Sequence, residues 1–236
     1  MAGHAPPSIS VVLPLYRNAA TLPELLTRLR AALAGETFEV IGVDDSCPEG
    51  CAEILERTAA SLGITAQAIR HATNLGQNSA VLTGLRAARG QHIVVMDADL
   101  QDPPEVIPGL VMQARALGSD VVFGRREGSY RGLLDELTSY SFKWLLFRIS
   151  RSGFDPRVGL FFALSRGASA ALVPPAGVPP YVMAMLAHAR LSSSTLAYAR
   201  QARPVGRSTY SFRRRLTLAL GGFRCYWRLR RSERAC

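Results

Sequence analysis

The sequence predicts an α/β fold in which a mostly parallel central sheet is flanked by helices. Three observations carry that expectation. Short apolar runs alternate with helix-period segments from residue 9 to residue 123, the pattern of strands joined by helical crossovers. Three of the strand-like runs end in polar or acidic groups, where open parallel sheets collect their ligands. An apolar content of 48% over 236 residues suffices for a core on both faces of such a sheet.

Residues 9–13 form a short apolar strand, and Pro14-Leu15-Tyr16-Arg17-Asn18 follows as a loop, since proline cannot donate to a central ladder. Thr21-Leu22-Pro23-Glu24 spells a capping box with proline in the first turn. Leu22, Leu25, Leu26, Leu29 and Leu33 continue it as a helix to about residue 34. Residues 38–43 are a second strand ending in Asp44-Asp45-Ser46, and residues 50–62 a second helix. A weaker strand at 66–70 leads to the polar turn 74–78 and a helix through Ala80, Val81, Leu85 and Ala88.

Residues 92–96 are a short buried strand that ends in Asp97-Ala98-Asp99. A helix follows over 104–117 and a strand over 120–123.

The alternation then breaks. Residues 125–132 read as a flexible basic loop and 133–149 as a helix rich in aromatics. Asp155-Pro156-Arg157-Val158-Gly159 precedes a strand at 160–164, and Ser165 opens a short helix. Residues 174–180 are a proline-rich connector, 181–189 a helix and 194–200 a late strand. The expected division is a globular domain over 1–205 and a basic amphipathic tail over 206–236.

Charge supports that division. From Arg200 onward there are eleven arginines against a single glutamate, which accounts for the whole formal charge of +10. The tail interleaves arginine with Leu216, Leu218, Leu220, Phe223, Tyr226, Trp227 and Leu229. That composition suits a helix lying in an anionic membrane interface, with Gly221-Gly222 expected to kink it. No nucleic-acid recognition module accompanies the arginines. No run of ~20 apolar residues is present, and the start lacks the basic and apolar regions of a signal peptide. Cys47, Cys51, Cys225 and Cys236 form neither a disulfide framework nor a usual zinc knuckle. The expected location is cytoplasmic, with peripheral attachment to the cytoplasmic face of the membrane.

The chemistry concentrates at Asp97, Asp99 and Gln101. Carboxylates at i and i+2 share a face at a strand end, and an amide carbonyl stands two residues on. These hard oxygen donors suit Mg²⁺ or Mn²⁺ shared with a substrate diphosphate.

The motifs resemble those of the family 2 glycosyltransferases with the GT-A fold. Within that family they are most similar to the branch of dolichyl-phosphate mannose synthase and bacterial polyprenyl-phosphate glycosyltransferases. Val11 to Asn18 resembles "VVIPxYNE", and Val43-Asp44-Asp45-Ser46 resembles "VDDxS". Asn74-Leu75-Gly76-Gln77 with Ala80 and Gly84 resembles "NxGxxxAxxxG". Met96 to Glu105 matches "MDADLQDPPE" at every position, and Arg203 to Tyr210 resembles "RxxGxSKY".

The resemblance implies an inverting, metal-dependent transferase that moves a sugar from a GDP- or UDP-sugar to a polyprenyl phosphate. It assigns Pro14, Leu15, Tyr16, Asn18, Asp44, Asp45, Asn74, Gly76, Gln77, Asp97 and Ala98 to the donor nucleotide. Asp97, Asp99 and Gln101 would hold the metal, and Arg126, Arg131, Arg203 and Ser208 the acceptor phosphate. Arg126 and Arg203 would thus join Asp97, Asp99 and Gln101 as the catalytic set. Departures from the pattern are Arg17-Asn18 for Asn-Glu, Thr209 for lysine, and Phe162 or Ala163 where many relatives carry arginine. Two alternatives stay open. One is a soluble enzyme of this fold using a hydroxyl acceptor, with Asp102 or Asp155 as general base. The other is a non-catalytic membrane-peripheral or regulatory subunit. Homo-oligomerisation is also open.

Overall fold

The computed structural model describes residues 6–127, 133–174, 176–199, 201 and 212–233. Seven strands form one sheet: β1 (Ile9–Leu15), β2 (Phe38–Asp44), β3 (Thr65–Arg70), β4 (His92–Val95), β5 (Val121–Glu127), β6 (Val158–Ser165) and β7 (Ser193–Ala199). Their order is β3-β2-β1-β4-β6-β5-β7. All neighbours are parallel except β6, which runs antiparallel to both β4 and β5. The mostly parallel α/β sheet expected from the alternation is therefore present.

The helices are α1 (Leu22–Ala32), α2 (Cys51–Leu62), α3 (Gln77–Ala87), α4 (Ile107–Leu117), α5 (Leu133–Ser150), α6 (Arg166–Ala170), α7 (Val182–His188) and α8 (Phe212–Glu233). A 3₁₀ turn at Pro104–Val106 precedes α4. One face of the sheet is covered by α1, α2 and α4 through Leu22, Leu25, Leu29, Leu55, Ile107 and Leu110. The other face is covered by α3, α5, α6, α7 and α8. The residues of α7 from Val182 to Ala187 are all buried, so this short helix is apolar all round and lies inside the second layer. Cys225 and Tyr226 of α8 join that layer. The helix runs through Gly221 and Gly222 as one element, where a kink was expected. Gly222 lies against the rings of Phe142 and Tyr181, and a Cβ there would come within 2.8 Å of Phe142.

Several boundaries differ from the sequence expectation for identifiable reasons. Pro14 is inside β1, opposite Val43 of β2, and not in a loop. Val12 O accepts from Met96 N on the β4 side, and Leu15 O accepts from Asp45 N on the β2 side. Backbone groups alternate sides along a strand. Pro14 therefore faces β4 just beyond the last β1–β4 pair, Val12 with Val95, where no donor is required.

The capping box does not form. Thr21 has helical dihedrals and makes no side-chain cap bond. Its hydroxyl donates instead to Ala98 O at 2.6 Å and lies 3.2 Å from Asn18 O. Arg125, Arg126 and Glu127 belong to β5 and pair with Ala197, Tyr198 and Ala199, so these three residues of the expected basic loop are strand, and 128–132 lie outside the described residues. Their charge hid a strand that the register of β7 enforces.

Candidate active site

The strand order reverses between β1 and β4. The chain proceeds outward from β1 to β2 and β3, then returns with β4 on the other side of β1. The carboxyl ends of strands at such a switch point form the crevice where open α/β sheets bind ligands. Tyr16 and Asn18 leave β1 there, Asp44 and Asp45 close β2, and Asp97 to Gln101 leave β4. Sequence reasoning placed these groups on one edge, and the topology brings them together.

The loop after β1 is shaped by its own side chains. Asn18 Oδ1 accepts from Tyr16 N at 2.9 Å, and Arg17 takes a left-handed backbone with φ +59. The Arg17 guanidinium lies 5.5 Å from the centre of the exposed Tyr16 ring. Pro14 and Leu15 are buried in β1, so their side chains contribute to the core.

The acidic pair after β2 works inward. Asp44 accepts from Cys47 N at 2.6 Å and Ala52 N at 3.0 Å, tying down the turn into α2. Asp45 accepts from Leu75 N at 2.8 Å and Gly76 N at 2.7 Å. His71 Nδ1 stands 2.8 Å from the same carboxylate, and His71 Nε2 stands 3.0 Å from Thr83 Oγ1. Asp45 thus fastens the turn that starts α3. Gly76 is needed in this turn because its φ of +88 with ψ of 157 is a region open essentially to glycine alone. Two residues on, Asn78 Oδ1 accepts from Val182 N at 2.9 Å. Ala80 and Gly84 let α3 sit close on β1, and a Cβ at Gly84 would come within 2.3 Å of Val12 Cγ1. Asn74, assigned to the nucleotide, is exposed.

The acidic segment after β4 is a turn. The strand ends at Val95, one residue before the expected boundary, and Leu100 has φ +60. Even so, burial alternates. Ala98, Leu100 and Asp102 point inward, while Asp97, Asp99 and Gln101 are partly exposed. Gln77 Nε2 donates to Asp97 Oδ1, Gln101 N donates to Asp99 Oδ1 at 3.1 Å, and Gln201 N donates to Gln101 O at 3.0 Å. Arg28 bridges Glu105 and Gln201 on the rim. Among the described residues, the one group of three His, Cys, Asp or Glu side chains with mutually close ligand atoms is Cys47, Glu49 and Cys51. The loop after β4 supplies two carboxylates and an amide. This donor set fits a hard divalent cation that completes its shell with phosphate and water.

Arg126 is held within the protein. Its Nε and Nη2 donate to Asp102 at 3.1 and 2.8 Å, and Nε also reaches Tyr198 Oη at 3.1 Å. The Tyr198 hydroxyl donates to Asp102 Oδ1. Asp102 is 1% exposed. Burial works against the charged guanidinium, but the Asp102 carboxylate outweighs it and pushes the Arg126 pKa up. Burial, then the Asp102 charge, pushes the Tyr198 hydroxyl up as well. Sequence reasoning missed Tyr198 because a single tyrosine in a strand of small residues carries no signal of its partner 96 residues away. Phe162 and Ala163 lie at 0% exposure on opposite faces of β6. Arg131, Arg203 and Ser208 fall outside the described residues.

The switch-point crevice and the helix-covered mixed sheet define a GT-A-type α/β fold. The chain matches the family described as "Glycosyl transferase family 2" over residues 10–167, and it belongs to that family. Among curated proteins it is 43% identical over 129 residues to an undecaprenyl-phosphate 4-deoxy-4-formamido-L-arabinose transferase of Pseudomonas paraeruginosa. That match covers 52% of this chain and 38% of the relative. It is 40% identical over 118 residues to a dolichol-phosphate mannosyltransferase of Pyrococcus furiosus, covering 50% of this chain and 33% of the relative. The chain thus spans about a third of the length of these relatives. Among solved structures it superposes on mannosyl-3-phosphoglycerate synthase from Rubrobacter xylanophilus with a TM-score of 0.68 at 20% identity, covering 98% of this chain and 76% of that one. A glucosyl-3-phosphoglycerate synthase from Mycobacterium tuberculosis, in complex with Mn²⁺, UDP-glucose and phosphoglyceric acid, gives a TM-score of 0.66 at 18% identity. The coverage is 91% of this chain and 76% of that one. These two likenesses bear on the fold.

Proposed function

We propose that this chain is an inverting, divalent-metal-dependent glycosyltransferase that moves a hexose-type sugar from a GDP- or UDP-sugar to a polyprenyl phosphate. The observation that carries the reading is the Asp97-Ala98-Asp99-Leu100-Gln101 turn at the switch point, with its two carboxylates and amide on the open side. The curated relatives named above, both named as lipid-phosphate sugar transferases, support the acceptor.

In this reading Tyr16 and Asn18 frame the nucleotide, and Asp45 supports it by fixing the 74–76 turn. Asp97, Asp99 and Gln101 would hold Mg²⁺ or Mn²⁺, which when bound offsets charge on the departing nucleoside diphosphate. Gln77 orients Asp97 through its amide. A phosphate oxygen of the acceptor bonds to the anomeric carbon from the opposite face. The bond from that carbon to the donor's β-phosphate oxygen breaks, and its electrons leave with the diphosphate. A phosphate dianion needs no general base. Arg131, Arg203 and Ser208 would receive the acceptor phosphate, with Arg126, already paired to Asp102, bordering it.

A hydroxyl acceptor would need a base, and both candidates are engaged. Asp102 is buried under Arg126 and Tyr198. The Arg157 guanidinium beside Asp155 holds that carboxyl below the usual range.

The proposed division keeps 1–205 as the catalytic domain and 206–236 as the docking tail. Tyr140, Trp144 and Leu145 on α5, and Leu220 and Trp227 on α8, are exposed. Arg148, Arg224 and Arg228 stand exposed on the same two helices. This supports peripheral contact with an anionic bilayer on its cytoplasmic face. Among the described residues no helix is long and apolar enough to cross a membrane.

The test is transfer of label from UDP- and GDP-sugars to a short polyprenyl phosphate in the presence of Mn²⁺. The expected product extracts into organic solvent and disappears with EDTA. No lipid product from any donor across several chain lengths would overturn the acceptor assignment.

A further inference from the structure

Behind the β1 loop the turn from β2 to α2 carries two cysteines, Cys47 and Cys51, whose sulfurs lie 3.0 Å apart. We propose that Cys47 and Cys51 form a peroxide-oxidisable dithiol whose disulfide loosens the neighbouring loop at residues 16–18.

The geometry is built by the turn. Ser46 at φ +58 and Gly50 at φ +67 curl the segment back on itself, and Asp44 pins both ends by accepting from Cys47 N and Ala52 N. Two thiolates on one tetrahedral zinc, each about 2.3 Å from the metal, would stand roughly 3.8 Å apart. The observed pair is closer than that. A disulfide needs ~2.05 Å, so closure requires a shift of about 1 Å.

The two sulfurs have different roles. Cys47 is partly exposed and Cys51 fully buried, so peroxide reaches Cys47 first. Burial, then the adjacent Cys47 sulfur, pushes the Cys51 thiol up to about 12, so Cys51 keeps its proton beside the Cys47 sulfur. In the first step the Cys47 sulfur takes one oxygen of hydrogen peroxide, the O–O bond breaks and water leaves. Cys47 is then a sulfenic acid. In the second step the Cys51 sulfur bonds to the Cys47 sulfur, and the sulfenic oxygen departs as a second water with the Cys51 proton. The dithiol loses two electrons and the peroxide gains them.

Cys47 itself is tied to the loop by a hydrogen bond, beside the contact of Ala19 N with Glu49 Oε2 at 3.4 Å. Arg17 N donates to Cys47 Sγ at 3.1 Å, and Arg17 is the left-handed residue of the loop that presents Tyr16 and Asn18. A disulfide sulfur is a poorer acceptor than a thiol or thiolate, so oxidation weakens that hold.

The full chain, reduced and then treated with hydrogen peroxide, should yield peptide 31–57 two hydrogens lighter and resistant to alkylation, reversibly with dithiothreitol. The Cys225 peptide should alkylate normally. In Cys51→Ser the reaction should stop at a Cys47 sulfenic acid that dimedone traps. Amide exchange across residues 14–22 should run about threefold faster in the oxidised wild type, as expected for loss of one modest hydrogen bond.

Alkylation of both cysteines after peroxide would overturn the dithiol. So would stoichiometric zinc that blocks alkylation in the protein as isolated. A formed disulfide with unchanged exchange in the loop would overturn the coupling. For the nucleotide role given to the loop under the proposed function, the oxidised form should bind UDP or GDP more weakly. Binding of neither nucleotide to the reduced form would count against that function and leave the dithiol intact.

Discussion

The acidic ends of β2 and β4 look alike in sequence and sit in opposite surroundings. Asp44 and Asp45 are buried and bond to backbone amides of Cys47, Ala52, Leu75 and Gly76. They fix the turns into α2 and α3. Asp97 and Asp99 are partly exposed at the switch point, held by the Gln77 amide and by their own turn. Backbone N–H groups are obligatory donors, and a buried carboxylate that satisfies them is part of the scaffold. Partly exposed carboxylates at a switch point stand where a ligand can reach them, which is the role proposed for this pair. Substitutions should therefore cost stability after β2 and activity after β4.

The largest expected effect is on turnover. Asp97→Asn and Asp99→Asn should each lower sugar transfer by on the order of 10²–10³-fold or more. Because both side chains are partly exposed, the thermal midpoint should change little. Transfer assays and calorimetry on the same preparations check this, and a large fall in the midpoint would erase the contrast between the two strand ends.

Asp102 sharpens the contrast, because it follows the same motif by three residues yet points inward. Asp102→Ala removes the carboxylate shared by the half-buried Arg126 guanidinium and the Tyr198 hydroxyl, which should cost about 3 kcal/mol. Denaturant unfolding measures it, and a loss confined to activity would contradict a structural role. Asp44→Ala strips an acceptor from two amides and should cost roughly 2–3 kcal/mol by the same measurement.

The smallest effect serves as a control away from the edge. Burial alone would raise the Glu39 pKa, but bonds from Arg89 and Ser10 outweigh it and hold it below the usual range. A depressed carboxyl contributes stability that is full above its unfolded pKa and fades as pH falls through the folded one. Glu39→Gln should therefore be less stable than wild type near neutrality and lose less between about pH 5 and pH 3. Urea midpoints at several pH values read this directly, and parallel curves would refute it.

Much of the sheet was legible in the sequence. The apolar runs of β1, β2 and β4 and the leucine spacing of α1 follow local periodicity, and MDADLQDPPE located the acidic edge. What was hidden is non-local. Pro14 is tolerated in β1 because β4 stops pairing at Val95, which no residue near Pro14 reveals. Arg125 to Glu127 form a strand because β7, some 70 residues later, supplies its partner. The difference between Asp45 and Asp97 rests on amides at residues 75 and 76 reaching back across 30 residues. Identical residue types at equivalent strand ends carry no local mark of which will be saturated by backbone.

The most direct measurement is calorimetric titration of UDP and GDP into the protein, with Mn²⁺ and with EDTA, for wild type, Asp99→Asn and Asp44→Asn. The account predicts that one nucleotide binds wild type only with the metal and that Asp99→Asn abolishes this binding. Folded Asp44→Asn should retain it despite lower stability. Equal affinity with and without metal, or unchanged binding by Asp99→Asn, would contradict the assignment of the β4 turn as the metal–diphosphate site.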